Sequence, residues 1–456
     1  MIFKNALCVY PHQEGIPEKK YCIPIGLEYI ATALKGLIEK VTLIDMRFEP
    51  NLGDFIKNDD VDLIGLSINW DYQREAAINV ISGIPAGIKV IVGGRVATTY
   101  AEELFERCPN IDIIVRGDGE EIVRDIASGL SLEEITGISY RKGTKIIHNK
   151  IRELCSLSNI NYPDRKMRRN PYRLSLKKVD CGIGIDFIST SRGCPYKCKF
   201  CTFTNNPLGQ KRLWSARSAE SVVEELKEID ANFIGVVDDN FAVDMKRVEK
   251  ICDMIIAESI KKTFMVNARI EIYKHPQILK KMYKAGFKIL LIGIESAQNK
   301  TLKAMEKGFD VAEAEKALKE IGKVGFYIHG FFIIGCIDED ESDMLEIATF
   351  AKRLKLDSIN LSILRTEKYS PLNDLIANRE DYYANSNDLI CSKKYPLELL
   401  KDIRRSIRRD YYTYSTIFRI AKKIVTSRVV TFRIAARLAS IIIVKQVFKK
   451  KKKRKK

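Results

Sequence analysis

The run Arg192-Gly193-Cys194-Pro195-Tyr196-Lys197-Cys198-Lys199-Phe200-Cys201 holds three of the chain's 11 cysteines. Three residues separate the first pair and two the second, and the run holds no fourth cysteine. Thiolates are soft ligands that suit iron–sulfur clusters and zinc. A four-iron cube normally takes four thiolates, so three close ones leave one iron open. Charged and polar neighbours, and the opening Gly193-Cys194-Pro195, make this loop a poor setting for core packing. The other eight cysteines read as scattered core thiols, Cys336 and Cys391 among them. A zinc site would need a fourth ligand. Cys181 is the nearest candidate, and no His lies between His148 and His275. A disulfide framework is not expected, because the chain is long and no signal-peptide pattern opens it.

Working outward from that loop, residues 186–190 read as the strand that leads into it. Further strands are predicted at 233–237, 264–268, 289–294, 329–334 and 358–363. Helical runs at 219–228, 248–260, 276–285, 312–324 and 342–354 separate them. This is a partial (β/α)6 barrel over residues 185–370, whose active site belongs at the carboxyl ends of the strands. Upstream, residues 1–150 alternate short apolar runs (6–10, 41–44, 63–67, 89–92, 111–115) with helical patterns such as 25–37. Near-continuous apolar strands between helices predict a parallel sheet covered on both faces, a doubly wound (Rossmann-like) α/β domain. Residues 151–184, rich in Asn, Pro and Arg, read as a connector. Residues 371–456 read as a basic helical region with a polybasic end.

The spacing Cys-x3-Cys-x2-Cys, with Phe200 before the last cysteine, resembles the signature of the radical S-adenosylmethionine (SAM) enzymes. The resemblance implies that Cys194, Cys198 and Cys201 hold a 4Fe-4S cluster and that SAM chelates the fourth iron. One electron would then split SAM to methionine and a 5′-deoxyadenosyl radical, which abstracts hydrogen from unactivated carbon. A flavodoxin or ferredoxin is the electron donor expected with such a cluster.

Four segments of the first domain carry a second resemblance. Pro24-Ile25-Gly26-Leu27-Glu28-Tyr29-Ile30-Ala31, Ile64-Gly65-Leu66-Ser67, Val90-Ile91-Val92-Gly93-Gly94 and Val115-Arg116-Gly117-Asp118-Gly119-Glu120 are similar to the cobalamin-binding domain preceding many radical SAM barrels. It implies that the nucleotide tail of cobalamin threads into the sheet, where small residues at Ser67, Gly93 and Gly94 let the backbone approach. Gly117 and Glu120 are further candidate contacts. The alternative is a domain of the same fold that has lost cobalamin. His12 and Gly15 match an Asp-x-His-x-x-Gly cobalt-ligand pattern, but Tyr10 replaces its Asp, which would orient the imidazole. A surface-loop histidine is the expected reading of His12.

The same family resemblance places SAM contacts at the barrel's strand ends. Asp238, Asp239 and Asn240 stand where an acceptor for the SAM amino group is expected. Glu295 and Ser296 stand where the ribose or methionyl end is met, and Arg269 could pair a carboxylate. Gly330-Phe331-Phe332-Ile333-Ile334-Gly335 resembles the strand that packs on adenine, with Ile333 as the contact. A structural ion pair at the barrel rim is the alternative for Glu295 and Arg269.

The net charge of +18 belongs to the tail. From residue 401 onward there are 20 Lys and Arg against Asp402 and Asp410, leaving 57 basic and 57 acidic residues in the first 400. Basic residues at 419, 422, 423, 433 and 437 alternate with apolar ones at 417, 420, 424, 434, 438, 441 and 442, before the basic run 449–456. This predicts an amphipathic helix on an anionic membrane surface. The expected location is the cytoplasm, at the inner face of the membrane. A helix packed on the barrel, and RNA, are the alternatives; nucleic acid ranks lower because few aromatics follow Tyr414. The expectation as a whole is a cobalamin-dependent radical SAM methyltransferase acting on an unactivated carbon of a lipid or isoprenoid-like substrate. A radical SAM cyclase or oxidoreductase without methyl transfer, and a nucleic-acid-binding protein with a structural metal, are the rivals.

Overall fold

The computed structural model describes residues 2–13, 22–176, 179–201, 205–366 and 368–426. Most of the expected basic tail, 427–456, lies outside them. The chain forms two units, Met1–Tyr172 with Asn205–Arg212, and Arg173–Thr204 with Leu213–Lys456. The stretch read as a connector therefore divides between them.

In the first unit, strands β1 (Asn5–Tyr10), β2 (Lys40–Asp45), β3 (Leu63–Ser67), β4 (Lys89–Gly93) and β5 (Ile113–Val115) are parallel. The order is β2-β1-β3-β4-β5, extended by β6 (Ile138–Lys142) and β7 (Lys145–His148). Side chains alternate across a strand, and both faces find apolar partners. Leu7 and Val9 join a cluster with Ala77 and Ile81 of α3 (Arg74–Ser82) and Leu104 of α5 (Ala101–Arg107). Ala6, Cys8 and Tyr10 join another with Leu27 and Ala31 of α1 (Ile25–Leu34) and Ile122 and Ile126 of α6 (Glu120–Ser128). Helices α2 (Leu52–Asn58) and α4 (Arg95–Thr99) complete the layers. The sheet differs from the expected all-parallel one at β6 and β7, an antiparallel hairpin on β5. Its strands are joined by the two residues Gly143-Thr144, a connection only antiparallel neighbours can use.

In the second unit, β8 (Arg173–Leu176) pairs antiparallel with β9 (Val179–Ile188). Then β9, β12 (Phe233–Val236), β13 (Thr263–Ala268), β14 (Phe287–Glu295), β15 (Tyr327–Ile334) and β16 (Ser358–Ile363) run parallel in sequence order. A two-residue ribbon, β10 (Ser191–Arg192) with β11 (Ser215–Ala216), closes the base of the cysteine loop. The six parallel strands are the expected partial barrel. Helices α7 (Ala219–Glu228), α8 (Met245–Ala257), α9 (Pro276–Ala285), α10 (Asn299–Ala304), α11 (Val311–Val324) and α12 (Glu341–Arg353) follow them. Helix α9 starts at the expected Pro276 because a first-turn proline lacks only an N–H that has no helical partner.

One face of this sheet is the core. Phe264 and Val266, Leu290 and Ile292, Ile328 and Phe332, and Ile359 and Leu361 pack against the helices. The alternate residues Asn267, Leu291, His329, Phe331 and Asn360 lie on the other, half-exposed face. After α13 (Leu372–Ala377) and the small ribbon β17 (Tyr382–Ala384) with β18 (Ile390–Ser392), α14 (Leu397–Tyr411) packs Leu400, Ile403, Ile407 and Tyr411 into the core. The edge strand β16 is blunted there. Tyr412 Oη accepts from the Ile359 amide at 3.1 Å and donates to the Ile359 carbonyl at 3.2 Å. The last described helix is α15 (Tyr414–Thr426).

The turn after β15 contains a buried acid. Glu339 is 3% exposed, and its Oε2 accepts from the Cys336 amide at 3.1 Å. Its Oε1 is buried with no hydrogen-bond partner. Burial pushes this carboxyl from an ordinary 4.5 up to about 7. Between those values the native state holds a proton that the unfolded chain has released, so this group's share of stability falls as pH rises. Glu339→Gln should therefore flatten the stability–pH curve over that interval, where the wild type loses up to about 3 kcal/mol through this group. Denaturant midpoints measured across the interval check it, and parallel curves for the two proteins would refute it.

Candidate active site

The cysteine loop leaves the carboxyl end of β9, and two acids from the end of β12 hold its base. Asp238 is buried, with Oδ1 accepting from the Thr190 amide at 2.6 Å. Its Oδ2 accepts from Thr190 Oγ1 at 2.5 Å and Ser191 Oγ at 2.6 Å. Burial pushes this carboxyl up, against hydrogen bonds that favour its charged form. Asp239 Oδ2 accepts from the Gly193 amide at 2.8 Å. Gly193 has φ +83°, a conformation that residues with a Cβ rarely adopt, so the glycine before Cys194 is a backbone requirement. Asp238, expected to face SAM, instead braces the strand that launches the loop. Asn240 is buried and caps its own turn, its Oδ1 accepting from the Ala242 amide at 3.2 Å.

Cations gather on the loop itself. Arg269, at the end of β13, donates from Nη1 to Cys198 Sγ at 3.4 Å. Its Nη2 donates to Glu271 Oε1 at 2.8 Å and to the Lys307 carbonyl at 2.5 Å. The guanidinium lies 3.7 Å from the centre of the Tyr196 ring. Burial disfavours its charge, and the Glu271 carboxylate together with Cys198 and Tyr196 more than offsets this. Lys307 is buried and pairs with Glu295 Oε1 at 3.0 Å. Its Nζ lies 5.3 Å from the centre of the Phe200 ring. Burial pushes the Cys194 thiol up, opposed by the Tyr196 amide and by Arg269.

Glu295 stands at a kink. It is 8% exposed, has φ +75° and follows a register shift at Gly293 in the β14–β15 pairing. A non-glycine residue held there costs roughly 1–3 kcal/mol, and such strain concentrates at functional sites. A Cβ on Gly293 would overlap Glu295 Oε1. Ser296 is buried, its Oγ accepting from the Gln298 amide at 3.1 Å. Ile333 belongs to a separate apolar cluster with Met305, Cys336 and Leu364, against which Phe200 packs. Cys336 and Cys391 are buried thiols, as expected. Among the described residues no three His, Cys, Asp or Glu converge as a single metal ion requires. Thiolates on a four-iron cube bind different irons and need not converge. Three thiols with a guanidinium on one and an ammonium beside their loop fit an anionic iron–sulfur cluster.

In the first unit, Ser67 and Gly93 are register partners at the carboxyl ends of β3 and β4. Ser67 Oγ accepts from Asn69 Nδ2 at 2.8 Å. Gly94 has φ +103°, and a Cβ there would stand 2.6 Å from the Ile68 carbonyl oxygen. Gly117 follows β5, and its amide donates to Thr98 Oγ1 at 3.3 Å. Glu120 is the buried first residue of α6. Small residues thus line the sheet's carboxyl ends, where ligands of such folds bind. This cradle fits the nucleotide tail of a corrinoid.

Sequence reading missed several neighbours. Lys307 lies in a loop with no motif around it. Trp70 and Tyr72, 53% and 41% exposed and stacked at 6.4 Å, follow β3. Residues Asn205–Arg212 fold with the first unit, Arg212 Nη2 donating to Asp118 Oδ1 at 2.5 Å and Gln210 Nε2 to the Arg152 carbonyl at 2.8 Å. An exposed Trp in a strand-end loop was the one visible signal among these. Tyr10 is buried, with the Arg47 guanidinium 4.4 Å from its ring centre. His12 is half-buried in the loop that follows.

The radical SAM superfamily model matches residues 188–351, and the B12 binding domain model matches residues 19–127. An uncharacterized methyltransferase of Pyrococcus horikoshii is 27% identical over 416 residues, 85% of this chain and 87% of the relative. An anaerobic magnesium-protoporphyrin IX monomethyl ester cyclase of Cereibacter sphaeroides is 23% identical, across 76% of this chain and 59% of its own. A hopanoid C-3 methylase of Methylococcus capsulatus is 23% identical, across 67% and 59%. Among solved structures, the cobalamin- and cluster-bound radical SAM methyltransferase TsrM of Kitasatospora setae superposes with a TM-score of 0.67. It is 18% identical, across 90% of this chain and 82% of that one. The cobalamin-dependent radical SAM enzyme OxsB superposes with a TM-score of 0.64 at 23% identity, across 82% and 55%. At these identities the superpositions establish the fold. The chain spans little more than half of several of these longer proteins. The cofactors that go with the two matched domains are a 4Fe-4S cluster, SAM and cobalamin. Two domain matches in this order, over the cysteine loop and the glycine cradle, place the chain among the radical SAM enzymes that carry a cobalamin-binding domain.

Proposed function

We propose that this enzyme methylates an unactivated carbon, with a lipid or isoprenoid-like molecule as the substrate class. The observation that carries methyl transfer is the pairing of a B12-binding domain with a radical SAM domain in one chain whose Pyrococcus relative bears a methyltransferase name. The hopanoid methylase among its relatives supports the substrate class. When bound, the cluster with SAM supplies a hydrogen-abstracting 5′-deoxyadenosyl radical, and cobalamin supplies a transferable methyl group.

The chain's own residues do the holding. Cys194, Cys198 and Cys201 are the proposed cluster ligands. Asp239 and Asp238 fix the loop's entry, so the thiols start from one backbone conformation. Arg269 donates to Cys198 and favours the negative charge that the cluster's ligands carry. Glu295, kinked out of β14, and Asp239 offer carboxylates at the rim for the cationic parts of SAM. Ser296 and Ile333 stand on the same rim. Ser67, Gly93, Gly94, Gly117 and Glu120 are the proposed cobalamin contacts. A flavodoxin- or ferredoxin-like donor is the proposed source of electrons, and the cytoplasm the proposed location.

The cyclase among its relatives keeps a second reading open, radical chemistry without methyl transfer. Anaerobic turnover with SAM and candidate substrates separates the two. S-adenosylhomocysteine and 5′-deoxyadenosine rising together with methylated product are expected. 5′-Deoxyadenosine alone would overturn methyl transfer. A second measurement tests Arg269 apart from turnover. In Arg269→Gln the loss of a cationic donor to Cys198 Sγ should move the cluster's midpoint potential to more negative values with iron content unchanged. Potentiometric titration followed by electron paramagnetic resonance reads it. An unchanged potential would remove Arg269 from that role.

A further inference from the structure

Helix α15 is turned inside out. Two of its three cations face inward, where Arg419 Nη2 donates to the Leu356 carbonyl at 2.6 Å and Nη1 to the Lys355 carbonyl at 2.8 Å. Lys423 Nζ pairs with the fully buried Asp357 at 2.7 Å. Asp357 also accepts from the Ile328 amide at 2.8 Å, so this anchor reaches into the sheet. The side facing outward is apolar. Tyr414 is 95% exposed, Phe418 73%, Ile417 51% and Val425 41%, and Ala421 is exposed between them. Positions i, i+3, i+4, i+7 and i+11 form one stripe on a helix. The sequence pattern places Ile417, Ile420 and Ile424 together on one apolar side of the helix. Instead Ile420 and Ile424 are half-buried and Ile417 faces out.

A protein gains nothing by pairing its cations inward while holding Tyr, Ile and Phe in water. We propose that this stripe docks on an anionic lipid surface. Charge selects the occupant. Residues 427–456, which continue the chain from this helix, contain 12 Lys and Arg and no Asp or Glu, and the last eight residues are all basic. Lys422 is exposed on the helix itself. A second basic segment, from this chain or another copy, would add repulsion to any apolar contact made there. A surface with a negative headgroup layer above hydrocarbon takes both the stripe and the cations. Among the described residues no helix is long and apolar enough to cross a membrane.

The position of the stripe sets its role. Asp357 precedes β16, so α15 is anchored at the amino ends of the barrel strands, and the cysteine loop is at their carboxyl ends. Docking on α15 anchors the enzyme and leaves the cysteine-loop end uncovered. The proposal therefore stands independently of the substrate class and of methyl transfer.

The test floats the full-length protein with vesicles of phosphatidylcholine alone and of phosphatidylcholine with phosphatidylglycerol. The wild type should float with the anionic vesicles and stay down with the neutral ones. The double variant Ile417→Ser, Phe418→Ser should lose binding by roughly ten- to a hundred-fold, since both side chains are exposed and their loss removes apolar area available to lipid. An unchanged melting curve of this variant establishes that it is folded, and Arg419→Lys, which keeps the charge of the inward anchor, serves as the control expected to float normally. Three outcomes overturn the proposal: no flotation of the wild type, equal flotation of the double variant, or flotation indifferent to lipid charge. Stripe-dependent self-association, or stripe-dependent RNA binding, without vesicle binding would reassign the stripe to those partners and also overturn it.

Discussion

The structure of the second unit turns on the carboxylates of Asp238 and Asp239. A cluster loop is a loop without secondary structure of its own, and its three thiols are useful only if their backbone is fixed. Thr190, Ser191 and Gly193 are fixed by charge-assisted hydrogen bonds from a neighbouring strand end. Such bonds are about twice as strong as neutral ones. The acid is buried, so removing its partners would leave a charge without compensation. The cost of burying Asp238 is thus what makes the position of the loop definite.

The cations on the other side of the loop answer a different need. An iron–sulfur cluster with three thiolates carries negative charge into a partly buried place. Arg269 and Lys307 are present before any cofactor arrives, each with its own carboxylate, Glu271 and Glu295. The rim is therefore close to neutral without cofactor and holds charges of both signs within reach. That suits a zwitterionic ligand better than a site of one sign would. The strained backbone at Glu295 belongs to the same arrangement, since a regular strand would send that side chain elsewhere.

Much of this was legible in the sequence, and the failures have physical causes. Strands 63–67 and 358–363 and helices 219–228 and 276–285 match the structure to the residue, because long apolar periodicity is a local signal. The hairpin at 138–148 was missed although Lys142-Gly143-Thr144-Lys145 is a turn pattern between alternating residues. Asp238 was placed correctly at a strand end, but its direction depends on Thr190 and Ser191, 48 and 47 residues away. No local pattern reports such a pairing. Lys307 reads as a surface lysine in a Lys-Gly turn, and only the packing of Phe200 and Glu295 around it makes it a buried one. Residues 205–212 follow the cysteines in sequence and fold with the first unit, which no propensity indicates.

The open face of the half-barrel carries the last constraint. A closed barrel fills its interior with bulky branched side chains. Here the facing positions mix the polar Asn267, Asn360 and His329 with the apolar Leu291 and Phe331, and Phe187 and Met265 fill the space beside Gly235. Burial lowers His329 to about 4, and its Nδ1 lies 2.6 Å from Ser358 Oγ, so near neutral pH it offers a hydrogen bond and no charge. The ionic groups are confined to the rim at the carboxyl ends, around Arg269, Lys307, Glu295 and Asp239. A charge-poor face below a charge-balanced rim follows from which strand positions here are apolar, amide or neutral imidazole.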